Sequence, residues 1–220
     1  MTLDLFEPDA PSREPLAPGA VVLRRFACRN DAALLAAVQA VTAQAPFRHL
    51  VTPGGFTMSV AMSNCGALGW VSDRSGYRYD PVDPDSGRPW PPMPAAFAAL
   101  ASQAAAEAGF EGFLPDDCLI NRYLPGTRLS LHQDRNERDL AQPIVSVSLG
   151  LPAVFQFGGP TRNDRPRRVP LAQGEGVIFA VRHRPVQGTR GAYRVALRHG
   201  VSRVRSGERY TTGLIFHDAA

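Results

Sequence analysis

From Asp117 onward the chain consists of short apolar segments that proline and glycine keep interrupting: CLINRY, LSLHQD, IVSVSLGL, AVFQFG, GVIFAV, YRVALRHGV and RYTTGLIF. From Ile144 to Leu149 branched apolar residues alternate with serines, which is the two-residue period of a strand. Seven short strands at such spacing can bury their apolar sides only against one another, and the double-sheet jelly roll is the natural closure. The expected class is therefore mainly β with flanking helices.

Upstream the period changes. Asp31 is expected to cap an alanine-rich helix to about Ala43, in which Leu34, Leu35, Val38 and Val41 recur at helical spacing. A second helix fits Ala95 to Gly109, with Phe97, Leu100, Ala101 and Ala104 on one side and Gly109 as its stop. Between the two, TPGGFTMSVAMSNCGALGW and a proline-rich stretch to Pro94 read as short strands joined by loops. Residues 1–20 are rich in proline and poor in periodic apolar positions, so an extended surface arm is expected there. With 220 residues and 44% hydrophobic content, the whole is expected to form one compact domain.

Composition narrows the class further. No apolar run approaches the roughly 20 residues of a membrane helix, and the N-terminus has no basic region followed by an apolar one, so a cytoplasmic location is expected. Cys28, Cys65 and Cys118 are scattered with no CxxC pair, which points to free thiols over a disulfide framework or zinc knuckle. Residues 1–160 hold 12 Arg against 16 acids, whereas 161–220 hold 12 Arg against 4. That basic C-terminal quarter is compatible with a phosphate-bearing partner.

The chemistry concentrates in His132-Gln133-Asp134. In an extended chain residues i and i+2 share a face, so one imidazole and one carboxylate can reach a single metal ion. A His from another strand would complete a facial triad with three open positions. His49, His183, His199 and His217 are the candidates, and His199 stands out because Arg209 follows ten residues later in Arg209-Tyr210-Thr211. An arginine on the next strand, with a hydroxyl two residues on, can hold the far carboxylate of a dicarboxylate.

His-x-Asp with a distal His and Arg-x-Thr resembles the Fe(II)/2-oxoglutarate dioxygenase superfamily. Residues from about Leu3 to Leu171 resemble its AlkB-type DNA-repair branch, through LDLF, VVLRRFA, PFRHLVTPGGFTMSVAMSNCGALGW, GYRYDPVDP, CLINRYLPG, LSLHQD, IVSVSLGLPAVFQFGG and RND. The resemblance implies a double-stranded β-helix with an N-terminal helical and hairpin lid: arm 1–20, helices and nucleotide-recognition lid 21–115, catalytic core 116–220. It implies Fe(II) on His132, Asp134 and His199, with 2-oxoglutarate and O2 as co-substrates. Asn121, Tyr123, Arg209 and Thr211 would hold 2-oxoglutarate. Trp70, Tyr77, Met58, Ser59, Met62 and Arg162 would contact an alkylated base of DNA or RNA, single-stranded or flipped, to be oxidatively demethylated with release of aldehyde, succinate and CO2. A monomer without membrane partners is expected.

After about Gly174 the resemblance shifts toward other 2-oxoglutarate oxygenases, including the prolyl-hydroxylase-like group, with an insertion before His199. Ile215 stands where the AlkB branch has a second arginine, and Asn136 where it has an acid that assists base recognition. Two other readings therefore stay open: a 2-oxoglutarate hydroxylase of a protein or small molecule, and a catalytically silent nucleic-acid-binding module.

Overall fold

The computed structural model describes residues 11–17, 19–134, 142–158, 164–180, 184–189, 191–195, 198–205, 207 and 209–215. Its elements are β1 (Ser12–Ala17), β2 (Ala20–Arg24), α1 (Asp31–Gln44), β3 (Arg48–Val51), β4 (Thr57–Gly66), β5 (Gly69–Asp73), β6 (Gly76–Asp80), α2 (Ala95–Glu107), β7 (Asp117–Tyr123), β8 (Leu129–His132), β9 (Pro143–Gly150), β10 (Ala153–Phe157), β11 (Arg167–Leu171), β12 (Glu175–Ala180), β13 (Arg184–Gly188), β14 (Gly191–Val195), β15 (His199–Val201) and β16 (Arg209–Ile215).

A major antiparallel sheet runs β1-β2-β12-β9-β16-β7-β4-β3, and a minor sheet runs β11-β10-β15-β8. This is the jelly roll, and strand alternation divides its core into two layers. Val21 and Leu23 of β2, Val145, Val147 and Leu149 of β9, and Ile178 of β12 pack with Leu34 and Val38 of α1 and Phe97 and Leu100 of α2. The alternate residues Val22, Ile144 and Val177 pack instead with Phe155 and Phe157 of β10 and Val169 and Leu171 of β11. Both faces of the major sheet are thus covered, one by helices and one by the minor sheet.

The helices follow the sequence closely, with one correction at the start of α1. Asn30 occupies the cap position without a side-chain cap bond, and Asp31 is the first helical residue. Its carboxylate sits in the first turn, where it complements the helix dipole. One oxygen accepts the Ala32 N–H at 2.6 Å and the other the Gln173 amide at 2.5 Å. Gly109, two residues past α2, has φ +92°, the left-handed conformation of a helix stop.

Three departures concern the strands. Residues 12–17 are extended as expected but pair with β2, pinned where Arg24 bridges Glu14 and Glu175 at 2.6 and 2.8 Å. Arg167–Leu171 forms β11 although it carries two arginines and a proline; it lies at a sheet edge, where a missing N–H costs no ladder bond. The expected single strand YRVALRHGV divides into β14, which among the described residues pairs with β13 in a separate ribbon, and β15, which joins the minor sheet.

Candidate active site

β15 lies between β10 and β8, and its register sets His199 directly opposite His132. Between His199 and Val201 the register shifts, two residues of β15 spanning three of β8. Gly200 sits at this close approach, where a Cβ would lie 2.6 Å from the Leu129 carbonyl oxygen. Only glycine lets the two backbones come this near.

The imidazoles of His132 and His199 lie 4.3 Å apart, tilted by 54°. Asp134 reaches between them, with Oδ1 at 3.6 Å from His132 Nε2 and Oδ2 at 3.4 Å from His199 Nε2. One ligand atom from each of the three residues lies within 4.8 Å of the others. His132 Nδ1 stands 2.9 Å from the Ser130 carbonyl, which can only accept, so Nδ1 carries the proton and the Nε2 lone pair faces the cluster. The Phe155 ring stacks against His199 at 5.9 Å and walls the opposite side. Two imidazoles and one carboxylate on one side of an open space are the donor set that suits Fe(II).

His49 stands apart from the grouped ligand atoms of His132, Asp134 and His199, and its Nδ1 lies 2.9 Å from the Met58 carbonyl. His183 and His217 lie outside the described residues.

The cluster opens into a cavity of about 820 Å³. Asn121, Tyr123, Met58, Ser59, Met62, Trp70 and Tyr77 line it together with the three cluster residues. Asn121 is buried, and its Oδ1 meets no hydrogen-bond partner among the described residues, so a polar group facing the cavity would find an acceptor there. On β16, Thr211 occupies the register position between Asn121 and Ser148, and Arg209 that between Tyr123 and Gly150. The four residues expected to hold 2-oxoglutarate therefore form two cross-strand rows, with the Arg122–Tyr210 row between them. Arg162 and Asn136 lie outside the described residues.

Trp70 and Tyr77 stack at 5.6 Å with ring planes 15° apart, on the β5–β6 hairpin. The hairpin and the loop that follows it are tied to the body by several side chains. The Asn64 side chain binds the Trp70 backbone at both its N–H and its C=O. Trp90 packs over Gly69 and donates its indole N–H to the Asp80 carbonyl at 2.8 Å. Arg48 bridges Asp83 and Asp85 at 2.5 and 2.8 Å while lying 5.0 Å from the Trp90 ring centre. Burial by itself would raise the Asp83 carboxyl, but the Arg48 guanidinium and the turn's N–H and hydroxyl donors outweigh it and hold the carboxyl below the ordinary 3.8.

Met62 is divided between roles, since it lines the cavity yet packs in a core cluster with Val60 and Tyr123. The Ser59 hydroxyl donates to the Arg128 carbonyl at 3.1 Å, tying β4 to the approach to β8. Cys65 and Cys118 are buried opposite each other on β4 and β7, and burial pushes the Cys118 thiol well up, so both belong to the core.

Several cavity residues lie outside the set that sequence reasoning singles out: Thr52, Tyr79, Arg128, Ser130, Ser146 and Phe155. Arg128 and Ser130 precede His132 at intervals of two, so the rule that pairs His132 with Asp134 could have found them. Ser146 lies in the alternating run of β9, whose serines look like a solvent face in the sequence. Phe155 carries no local signal.

Comparisons with known proteins agree with this geometry. A family model described as the 2OG-Fe(II) oxygenase superfamily matches residues 19–208. The chain is 60% identical over 177 residues to the alpha-ketoglutarate-dependent dioxygenase AlkB of Salmonella typhimurium, covering 80% of this chain and 82% of that protein. It is 32% identical over 113 residues to the human nucleic acid dioxygenase ALKBH1, covering 51% of this chain and 29% of that protein. The solved structure of OsALKBH1 superposes with a TM-score of 0.73 at 24% identity, covering 92% of this chain and 99% of that one, which shows a shared fold.

Proposed function

Since the chain belongs to the 2OG-Fe(II) oxygenase superfamily, in its AlkB branch, we propose that it removes alkyl groups from nitrogen atoms of nucleic-acid bases, with single-stranded or flipped-out DNA as substrate. It is an Fe(II)- and 2-oxoglutarate-dependent dioxygenase. The observation that carries the substrate reading is that one cavity has both the stacked Trp70–Tyr77 pair and the His132–Asp134–His199 cluster in its wall. A planar base fits such a space: stacking on an aromatic ring is worth roughly 1–3 kcal/mol per base and tolerates any base identity.

His132, Asp134 and His199 hold Fe(II) in this reading. When bound with 2-oxoglutarate, Fe(II) supplies the oxidising chemistry, in which O2 is consumed, succinate and CO2 form, and the alkyl carbon leaves as an aldehyde. The chain's own residues do the binding and orienting. Asn121 offers its free acceptor to the co-substrate through a bridging or protonated group, and Tyr123 bounds the same end of the site. Arg209 and Thr211 on β16 hold the far carboxylate by charge and hydrogen bond. Met58 and Met62 line the floor with soft apolar surface that adapts to bases of different shape. Trp70 and Tyr77, on the hairpin that serves as lid, cover the base and exclude water from the reacting carbon. Arg162 is assigned to substrate contact by resemblance to the family. The protein acts as a monomer.

The test is succinate formation from 2-oxoglutarate with an N-methylated oligonucleotide, its unmethylated counterpart, and a mixture of proline-rich peptides and free amino acids. Stimulation by the methylated strand alone, with release of formaldehyde, is expected. Stimulation by peptide or amino acid in its place would transfer the chain to the hydroxylase reading.

A further inference from the structure

Two hairpin tips stand side by side where the cavity meets solvent. The tip between β3 and β4 is closed by three hydrogen bonds: the Thr52 N–H on the Phe56 carbonyl at 2.8 Å, the Gly55 N–H on the Thr52 carbonyl at 2.8 Å, and the Phe56 N–H on the Thr52 hydroxyl at 3.1 Å. The Phe56 ring lies over Gly54, where a Cβ would stand 3.5 Å from two ring carbons. It is 75% exposed, more than any other large apolar side chain among the described residues, yet it lines the cavity together with Trp70 and Tyr77. A residue that does both marks the mouth. An aromatic face kept in water by a closed turn is a stacking platform ordered in advance.

The tip between β5 and β6 lies against it. The Ser72 hydroxyl donates to the Val51 carbonyl at 2.7 Å, and the exposed Arg74 guanidinium stands over Gly55, its Nη2 3.8 Å from where a Cβ would lie. The adjacent carboxylate of Asp73 is taken up by Arg78 at 2.8 Å and by the Ser75 N–H and hydroxyl. Arg74 itself makes no ion pair among the described residues. A ring and an uncommitted cation therefore adjoin at the mouth.

We propose that Phe56 and Arg74 form a subsite for the nucleotide next to the target in single-stranded DNA, its base stacked on Phe56 and a backbone phosphate held by Arg74. The inference rests on the nucleic-acid reading above and deepens it. The occupant follows from continuity and charge. A target base enters the cavity beside Trp70 and Tyr77, so the nucleotide joined to it is left at the mouth. That nucleotide presents a flat apolar face and an anion, which match a ring and a guanidinium with two parallel donors. Stacking accepts any base, so the subsite would favour a strand over a free nucleoside without reading sequence.

The probes are two short single DNA strands with the same N-methylated base at the centre, one complete and one lacking the bases of both neighbouring nucleotides. The intact protein should bind the complete strand about 5- to 150-fold more tightly than the other. Phe56→Ala should lose that margin, and Phe56→Trp, which keeps a stacking face, should retain it. A margin that survives Phe56→Ala, or an equal loss by Phe56→Ala on both strands, overturns the stacking. Arg74→Gln should flatten the slope of log affinity against log salt by about 0.7, one phosphate contact, on both strands, since both keep their phosphates. An unchanged slope overturns the phosphate contact. An intact protein that repairs neither strand takes down the base-dealkylation reading and the subsite with it. With an intact protein active on the complete strand, the margin and the slope bear on the subsite alone.

Discussion

The carboxamide of Asn64 holds both backbone polar groups of Trp70: the Trp70 N–H donates to Oδ1 and Nδ2 donates to the Trp70 carbonyl, each at 3.1 Å. Asn64 is itself buried on β4, so a side chain of the body stands in for the neighbouring strand that β5 lacks at this point. Asn64→Asp keeps the shape but sets a carboxylate oxygen against the Trp70 carbonyl. The expected result is a rise in KM for methylated oligonucleotide by about 5- to 150-fold, the range of about one to three kcal/mol for a buried polar group left without its partner. The KM for 2-oxoglutarate should hold, and steady-state titration of each substrate checks the split.

Loss of any one cluster residue should cost more than the roughly 10- to 100-fold in metal affinity that removal of a supporting residue costs. His132→Ala, Asp134→Ala and His199→Ala are each expected to lose binding of Fe(II) or of Co(II) as a spectroscopic probe, with thermal unfolding still cooperative. His183→Ala should titrate like the unaltered protein. Full metal binding by His199→Ala would place the third ligand elsewhere.

Substrate and co-substrate recognition should separate along the chain. Trp70→Ala is expected to weaken methylated-oligonucleotide repair by about one to two decades, equivalent to roughly 1–3 kcal/mol of lost stacking, and to leave slow uncoupled 2-oxoglutarate turnover largely intact. Arg209→Ala should raise the 2-oxoglutarate requirement whatever strand is present, because the far carboxylate loses its charged partner.

The Arg48–Asp83 pair, three residues beyond β6, should make the anchoring of the hairpin's following loop sensitive to acid. Asp83 has its carboxyl held below 3.8, so its contribution is present at and above that pH and is lost as pH falls through the lowered value. Asp83→Asn should therefore lower Tm near neutrality, and the gap from the unaltered protein should close as pH drops below 3.8. A gap that stays constant from neutral pH to well below 3.8 would mean that the ion pair contributes nothing to holding that loop.

How much of this is legible in the sequence depends on whether the signal is local. The helices are, because Leu34, Val38, Phe97 and Leu100 repeat with the turn of the backbone. Most core strands are, because alternation is a property of consecutive residues. Strand β11 is not, since its two arginines and proline are tolerated only by virtue of its position at a sheet edge. The division of YRVALRHGV is not, since β14 and β15 differ by what they pair with and not by what they contain.

By itself the sequence determined a jelly roll with two covering helices and a His-x-Asp pair on one strand face, because these follow from the periods of the chain. The resemblance of its motifs added the chemistry. Tertiary structure alone decided that His199 stands opposite His132, that Asn64 seats Trp70, and that the serine face of β9 looks inward, with Ser146 lining the cavity. The physical reason is that a strand's local pattern says which residues share a face but not which strand lies beside it. That choice is made by hydrogen-bond register and by close approaches such as Gly200 against Leu129, which join residues far apart in the chain.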